Sequence, residues 1–92
     1  MAKLLEVTEI APAFKRYLVD APEIARKHRA GQFVIVLLHE HGERIPLTIA
    51  DSDAAKGTIT LVVQEVGKTT LEMGTLEPGD AIEVVGPLGS PT

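Results

Sequence analysis

The sequence predicts an all-β fold: a six-stranded antiparallel Greek-key barrel with one or two short helical turns. Three observations lead there. Short segments rich in Val, Ile and Leu are separated by breaks rich in Gly, Pro and Asp. Aromatic residues are confined to Phe14, Tyr17 and Phe33, so the core must come from branched aliphatics, which favour strands. The 92 residues also leave no room for the crossover helices that a parallel sheet requires. Closure into a barrel fits such short strands, one of them apolar at every position.

The elements follow in order. Lys3–Ile10 reads as a first strand with weak alternation, broken by Ala11-Pro12-Ala13. Phe14–Asp20 is a second strand, ended by Ala21-Pro22, and Pro22 opens a helical turn over Glu23–His28 because proline is tolerated at the first helical position. Arg26, Lys27, His28 and Arg29 form a basic cluster at the end of that turn, where cations favour the helix dipole. The cluster reads as a solvated helix end or as a docking patch. Ala30-Gly31-Gln32 turns into Phe33–Leu38, whose unbroken apolar run predicts a strand buried on both faces. His39–Glu43 is a polar hairpin tip; His39 and His41 have strand spacing, which suits a solvated tip or a metal site.

Arg44-Ile45-Pro46-Leu47-Thr48-Ile49 alternates cleanly. Ile45, Leu47 and Ile49 fall on one face, suited to a core. Arg44, Pro46 and Thr48 fall on the other, with a fixed charge at one end and a hydroxyl at the other. That face spans roughly 13 Å at strand rise and suits a long ligand with a phosphate near Arg44 and rings near Thr48. Pro46 donates no ladder hydrogen bond, so the strand is an edge or opens toward something that is not protein. Solvated polar residues on an edge strand would give the same pattern.

Asp51–Gly57 reads as a turn, and Thr58–Val66 as the fifth strand. In Gly67-Lys68-Thr69-Thr70-Leu71-Glu72-Met73-Gly74, Thr69 and Glu72 have capping-box spacing and Gly74 can close the helix after little more than a turn. Free N–H groups at such a start can bind an anion or only water. It is not a P-loop, since the upstream glycine of that motif is missing. Leu76–Asp80 is a tight turn, Ala81–Val85 the last strand with Ile82 and Val84 inward, and residues 86–92 an extended, strand-free exit.

Bulk properties bound the function. The length gives one domain with a modest core. Hydrophobic content of 45% and a mean hydropathy of +0.15 indicate a globular chain. A net charge of −4 argues against nucleic-acid binding. Without cysteine there is no disulfide, thiolate metal site, iron–sulfur ligation or Cys nucleophile within these residues. No apolar run approaches the ~18 residues of a membrane helix and no signal-peptide core opens the chain, so a cytoplasmic location is expected.

Four stretches, in register over all 92 residues, resemble the FAD-binding barrel of the ferredoxin reductase superfamily. They are Ala30-Gly31-Gln32-Phe33, Arg44-Ile45-Pro46-Leu47-Thr48-Ile49, Gly67-Lys68-Thr69-Thr70, and Pro78-Gly79-Asp80 through Gly86-Pro87-Leu88-Gly89. Within that superfamily the chain resembles the electron-transfer flavin subunits, among them those of dihydroorotate dehydrogenase B and of NADH-dependent ferredoxin:NADP oxidoreductase. The resemblance implies FAD as cofactor. It implies Arg44 on the pyrophosphate and Pro46, Leu47 and Thr48 along the isoalloxazine. Val62, Val63 and Gln64 would run beside the flavin, and Gly67, Thr69 and Thr70 would hold the phosphates. The sequence departs from the common motif in having Leu47 where a stacking Tyr is usual, and in the one-residue wider spacing of Arg44 from Pro46.

The resemblance further implies a barrel over 1–86 and an exit linker over 87–92 toward a nicotinamide-binding domain absent from these residues. It implies, in the parent protein, a [2Fe–2S] centre and a larger oxidoreductase subunit as partners, with electrons passing between NAD(P)H and an iron–sulfur acceptor. The 92 residues are read as a fragment or a barrel-only protein, inactive alone as an NADH oxidoreductase. The alternatives are a non-enzymatic interaction barrel and a barrel that self-associates without flavin.

Overall fold

The structure is a computed structural model, described over residues 1–91. Six strands and two six-residue helices follow in order: β1 (Ala2–Ala11), β2 (Phe14–Asp20), α1 (Pro22–Lys27), β3 (Phe33–Leu37), β4 (Arg44–Asp53), β5 (Thr58–Gln64), α2 (Lys68–Met73) and β6 (Ala81–Leu88). The strands close into a barrel in the order β1-β2-β5-β4-β3-β6, every pair antiparallel. β1–β2 and β3–β4–β5 are local hairpins. β2–β5 and β3–β6 are distant pairings that make the Greek key.

The barrel is filled by alternate residues of each strand, as the period-two pattern requires. Leu4, Tyr17, Val19, Val34, Val36, Ile49, Ile59, Leu61, Val63, Met73 and Ile82 are all buried, and Ile45, Leu47 and Val84 pack against them. Tyr17 contributes the largest wholly buried side chain. Its hydroxyl lacks a partner, and burial with the nearby Glu65 carboxylate pushes its pKa up to about 12. α1 starts at Pro22, carries Glu23 in its first turn and Arg26 and Lys27 in its last, and buries Ile24 and Ala25. It is pinned by the Ala21 N–H donating to the Gly57 carbonyl at 2.9 Å.

Several boundaries differ from the sequence expectation. Asp51, Ser52 and Asp53 are not a turn: after a bulge at Ala50 they pair with Thr60, Ile59 and Thr58. The turn proper begins where the Asp53 carboxylate accepts the Lys56 N–H at 3.0 Å. β6 continues through Gly86, Pro87 and Leu88, with Leu88 opposite Phe33, so the expected strand-free exit begins with three residues of strand. β5 ends at Gln64, because the Val66 and Gly67 N–H groups turn to the Thr70 hydroxyl at 3.0 and 2.9 Å. The helix cap therefore lies at Gly67 and Thr70, two residues before the expected Thr69–Glu72 box. His28 is no solvated helix end: it is half-buried, its Nδ1 hydrogen-bonded to the Ser52 hydroxyl at 2.7 Å. Among the described residues, no helix is long and apolar enough to cross a membrane.

Candidate functional site

The predicted alternation of β4 is present: Arg44, Pro46 and Thr48 are exposed, whereas Ile45 and Leu47 are half-buried and Ile49 is buried. β3 pairs with the whole of this segment, from Phe33↔Thr48 to Leu37↔Arg44. On its other side, pairing with β5 stops at Ile49↔Leu61. Beyond that vertex, Val62, Val63 and Gln64 pair only with Arg16, Lys15 and Phe14 of β2. The barrel wall thus opens between Arg44–Thr48 and Val62–Gln64.

The position of Pro46 fits this opening. The Ile49 N–H donates to the Gln32 carbonyl at 3.1 Å, on the β3 side. Antiparallel alternation then turns the amides of Leu47 and Ile45 to β3, and those of Thr48, Pro46 and Arg44 to the open side. Proline removes a donor where no strand would accept it. Pro46 faces Ile35 in a non-hydrogen-bonded pair, so the β3–β4 ladder loses nothing.

The far end of the opening is bounded by α2. Gly67, its N-cap, is exposed, and a Cβ added there would meet nothing within 4 Å. Thr70 is committed to the cap: its hydroxyl accepts from Val66 and Gly67 and donates to the Gly67 carbonyl at 3.1 Å. The Thr69 hydroxyl instead donates to the Glu43 carboxylate at 3.0 Å. With His39–Glu72 at 3.3 Å, that contact ties the β3–β4 hairpin tip to α2 across a cavity of about 720 Å³. Behind α2, the Lys15 ammonium donates to the Gly74 carbonyl at 2.6 Å and lies 3.8 Å from Glu65, fixing the helix's C-terminal end.

The sequence-predicted residues therefore gather around one opening, but not in equal roles. The side chains of Arg44, Pro46, Thr48, Val62 and Gln64 lie outside the barrel. Those of Leu47 and Val63 point into the core, so either residue reaches a ligand only through its backbone. Arg44 has no salt bridge among the described residues; it borders a second cavity of about 420 Å³ with Glu40 and Glu83. His39 and His41 line the larger cavity, and no metal-holding group of His, Asp or Glu occurs among the described residues. Sequence reasoning missed Glu43, whose tie to Thr69 spans 26 residues. It also missed the apolar floor beside the site: Phe33 and Ile35, with Val85 opposite Ile35 and 46% exposed. The signal was present in the unbroken Phe33–Leu38 run, whose alternate residues must face outward.

These residues fit a flavin dinucleotide. An unpaired strand edge without a proline donor accommodates a flat ring system, and the unpaired Arg44 and open Gly67 suit phosphates.

Comparison with known proteins gives the family. The family model for the oxidoreductase FAD-binding domain matches residues 1–92. The chain is 43% identical over 91 residues to a dihydroorotate dehydrogenase B electron transfer subunit homolog of Thermotoga maritima, covering 98% of this chain and 32% of that protein. It is 34% identical over 92 residues to the sulfhydrogenase 1 subunit gamma of Pyrococcus furiosus, covering 96% and 31% respectively. A solved NADH-dependent reduced ferredoxin-NADP oxidoreductase superposes with a TM-score of 0.97 at 42% identity, over all of this chain and 34% of that one. The chain spans about a third of the length of these relatives. It belongs to the FAD-binding domain family of the ferredoxin reductase superfamily, and its cofactor is FAD.

Proposed function

We propose that the opening between β4 and β5 is the FAD cradle, and that the domain serves an oxidoreductase that passes electrons between NAD(P)H and an iron–sulfur acceptor. The observation that carries this reading is the loss of β4–β5 pairing beyond Ile49↔Leu61, with Pro46 on the exposed edge. Bound FAD would supply the redox chemistry, converting between two-electron and one-electron transfer. The chain's own residues bind and orient it. Arg44 engages the pyrophosphate through its guanidinium fork. Thr48 places a hydroxyl at the ring end, and Pro46 with the backbone of Leu47 supports the ring. Val62, the backbone of Val63 and Gln64 form the facing wall. Gly67 and Thr69 receive the phosphates, and Thr70 holds their loop in shape.

The parent protein, in this proposal, adds a nicotinamide-binding domain after Gly89, a [2Fe–2S] centre and a larger oxidoreductase subunit. The cytoplasmic location belongs to the same proposal, following from NAD(P)H as donor. Titration of the purified chain with FAD, FMN and riboflavin, read by flavin fluorescence and the visible spectrum, tests the cradle. Saturable FAD binding, with riboflavin weakest, is expected; equal binding of all three would refute the phosphate roles. A second reading rests on the exposed Val85 beside Ile35 and Phe33: this apolar face drives self-association of the isolated barrel. Gel filtration with and without FAD separates the two.

A further inference from the structure

Glu43 stands immediately before the proposed phosphate-binding Arg44, and its carboxylate accepts the Thr69 hydroxyl at 3.0 Å. The neighbouring Thr70 hydroxyl is already engaged by Val66 and Gly67. Thr69 therefore carries the one hydroxyl of the pair that can turn to a ligand, and an acidic side chain holds it. A carboxylate is an acceptor-only anion, as a phosphate oxygen is, and takes the same donors.

We propose that Glu43 is an internal competitor for phosphate: it holds Thr69 in the ligand-free domain and must yield that hydroxyl when the FAD pyrophosphate arrives. The proposal rests on the cradle reading above. It makes Glu43 a residue that lowers FAD affinity by occupying a donor and by placing a like charge beside the phosphates. The hairpin tip and α2 need not separate when Glu43 lets go, because His39–Glu72 bridges the same two elements independently. Lys68 and His41 line the same cavity as Glu43.

The test is FAD titration of the wild-type chain, Glu43→Gln and Glu43→Ala at low salt, with riboflavin as the phosphate-free control. Glu43→Gln keeps an acceptor and removes the charge. It is expected to tighten FAD binding about fivefold, the factor equivalent to ~1 kcal/mol of like-charge repulsion at ~4 Å in water. Glu43→Ala frees Thr69 as well and should tighten at least as much. Riboflavin affinity should not move in either variant, and the gain should shrink at high salt. FAD binding by a variant but not by the wild type would also support competition. Unchanged or weaker FAD binding by both folded variants, with wild type binding normally, would overturn the competitor and make Glu43 a buttress for Thr69. Absence of FAD binding in all three chains would refute the cradle itself, and the competitor with it.

Discussion

Replacing Arg44 probes the proposed phosphate end of the site without disturbing the barrel. Arg44 is exposed, faces away from the core, and has neither a hydrogen-bonded side chain nor a salt bridge among the described residues. Its removal should therefore leave folding stability within ~0.5 kcal/mol, the range for unpartnered surface positions. Binding should respond differently. A hydrogen bond to a charged group contributes about 1.5–3 kcal/mol net, and exposure to solvent places Arg44 near the lower end. Arg44→Ala is thus expected to weaken FAD binding by about tenfold, with Arg44→Lys intermediate because the charge remains while the planar fork is lost. Fluorescence titration at two salt concentrations reads both terms, with thermal unfolding of each variant as the control. Equal FAD affinity in wild type and Arg44→Ala, at unchanged stability, would refute the phosphate role.

Three further outcomes follow from the barrel. Gly57 has φ +70° and a Cβ there would lie 2.9 Å from the Pro22 Cβ, whereas Gly79 at φ +99° has open space. Gly79→Ala should cost about 1–2 kcal/mol from backbone strain alone, and Gly57→Ala more, because α1 must move; equal losses in chemical denaturation would contradict this. Lys15→Met removes the tie to Gly74, and amide exchange in α2 should quicken while β3 and β4 stay protected; uniform change would deny Lys15 a local role. Tyr17, raised from 10.0 to about 12, binds its proton more tightly folded than unfolded. Its contribution, of order 2–3 kcal/mol, is complete below pH ~10 and lost as pH rises toward ~12. Denaturation midpoints across that window, read beside phenolate absorbance, should fall together; a phenol that titrates with no midpoint change would contradict the linkage.

Much of this was legible in the sequence because strand alternation is local. The Arg44–Ile49 pattern assigned each side chain to the correct face. The Phe33–Leu38 run identified a strand but overstated its burial: Val34 and Val36 are buried, whereas Phe33 and Ile35 on the other face are only half-buried. What was not legible depended on partners. Asp51–Asp53 carry turn-forming residues, yet β5 offers Thr58–Thr60 across a bulge and the strand continues. Pro87 and Leu88 resemble a linker until Phe33 stands opposite. The two Thr of Gly67–Thr70 look interchangeable in sequence, and only the fold turns one inward to the cap and the other to Glu43. Val63 and Leu47 entered the site through the family resemblance, although strand alternation places their side chains in the core.

FAD is proposed to lie in the gap where β4 leaves β5. Amide chemical-shift mapping of the chain during FAD titration locates the ligand residue by residue. Shifts are expected to concentrate at Arg44–Ile49 and Val62–Thr70, with α1 and the β1–β2 hairpin unmoved. Shifts centred instead on α1, or on the β1–β2 hairpin, with Arg44–Ile49 silent, would place the flavin elsewhere and rule out the β4–β5 cradle.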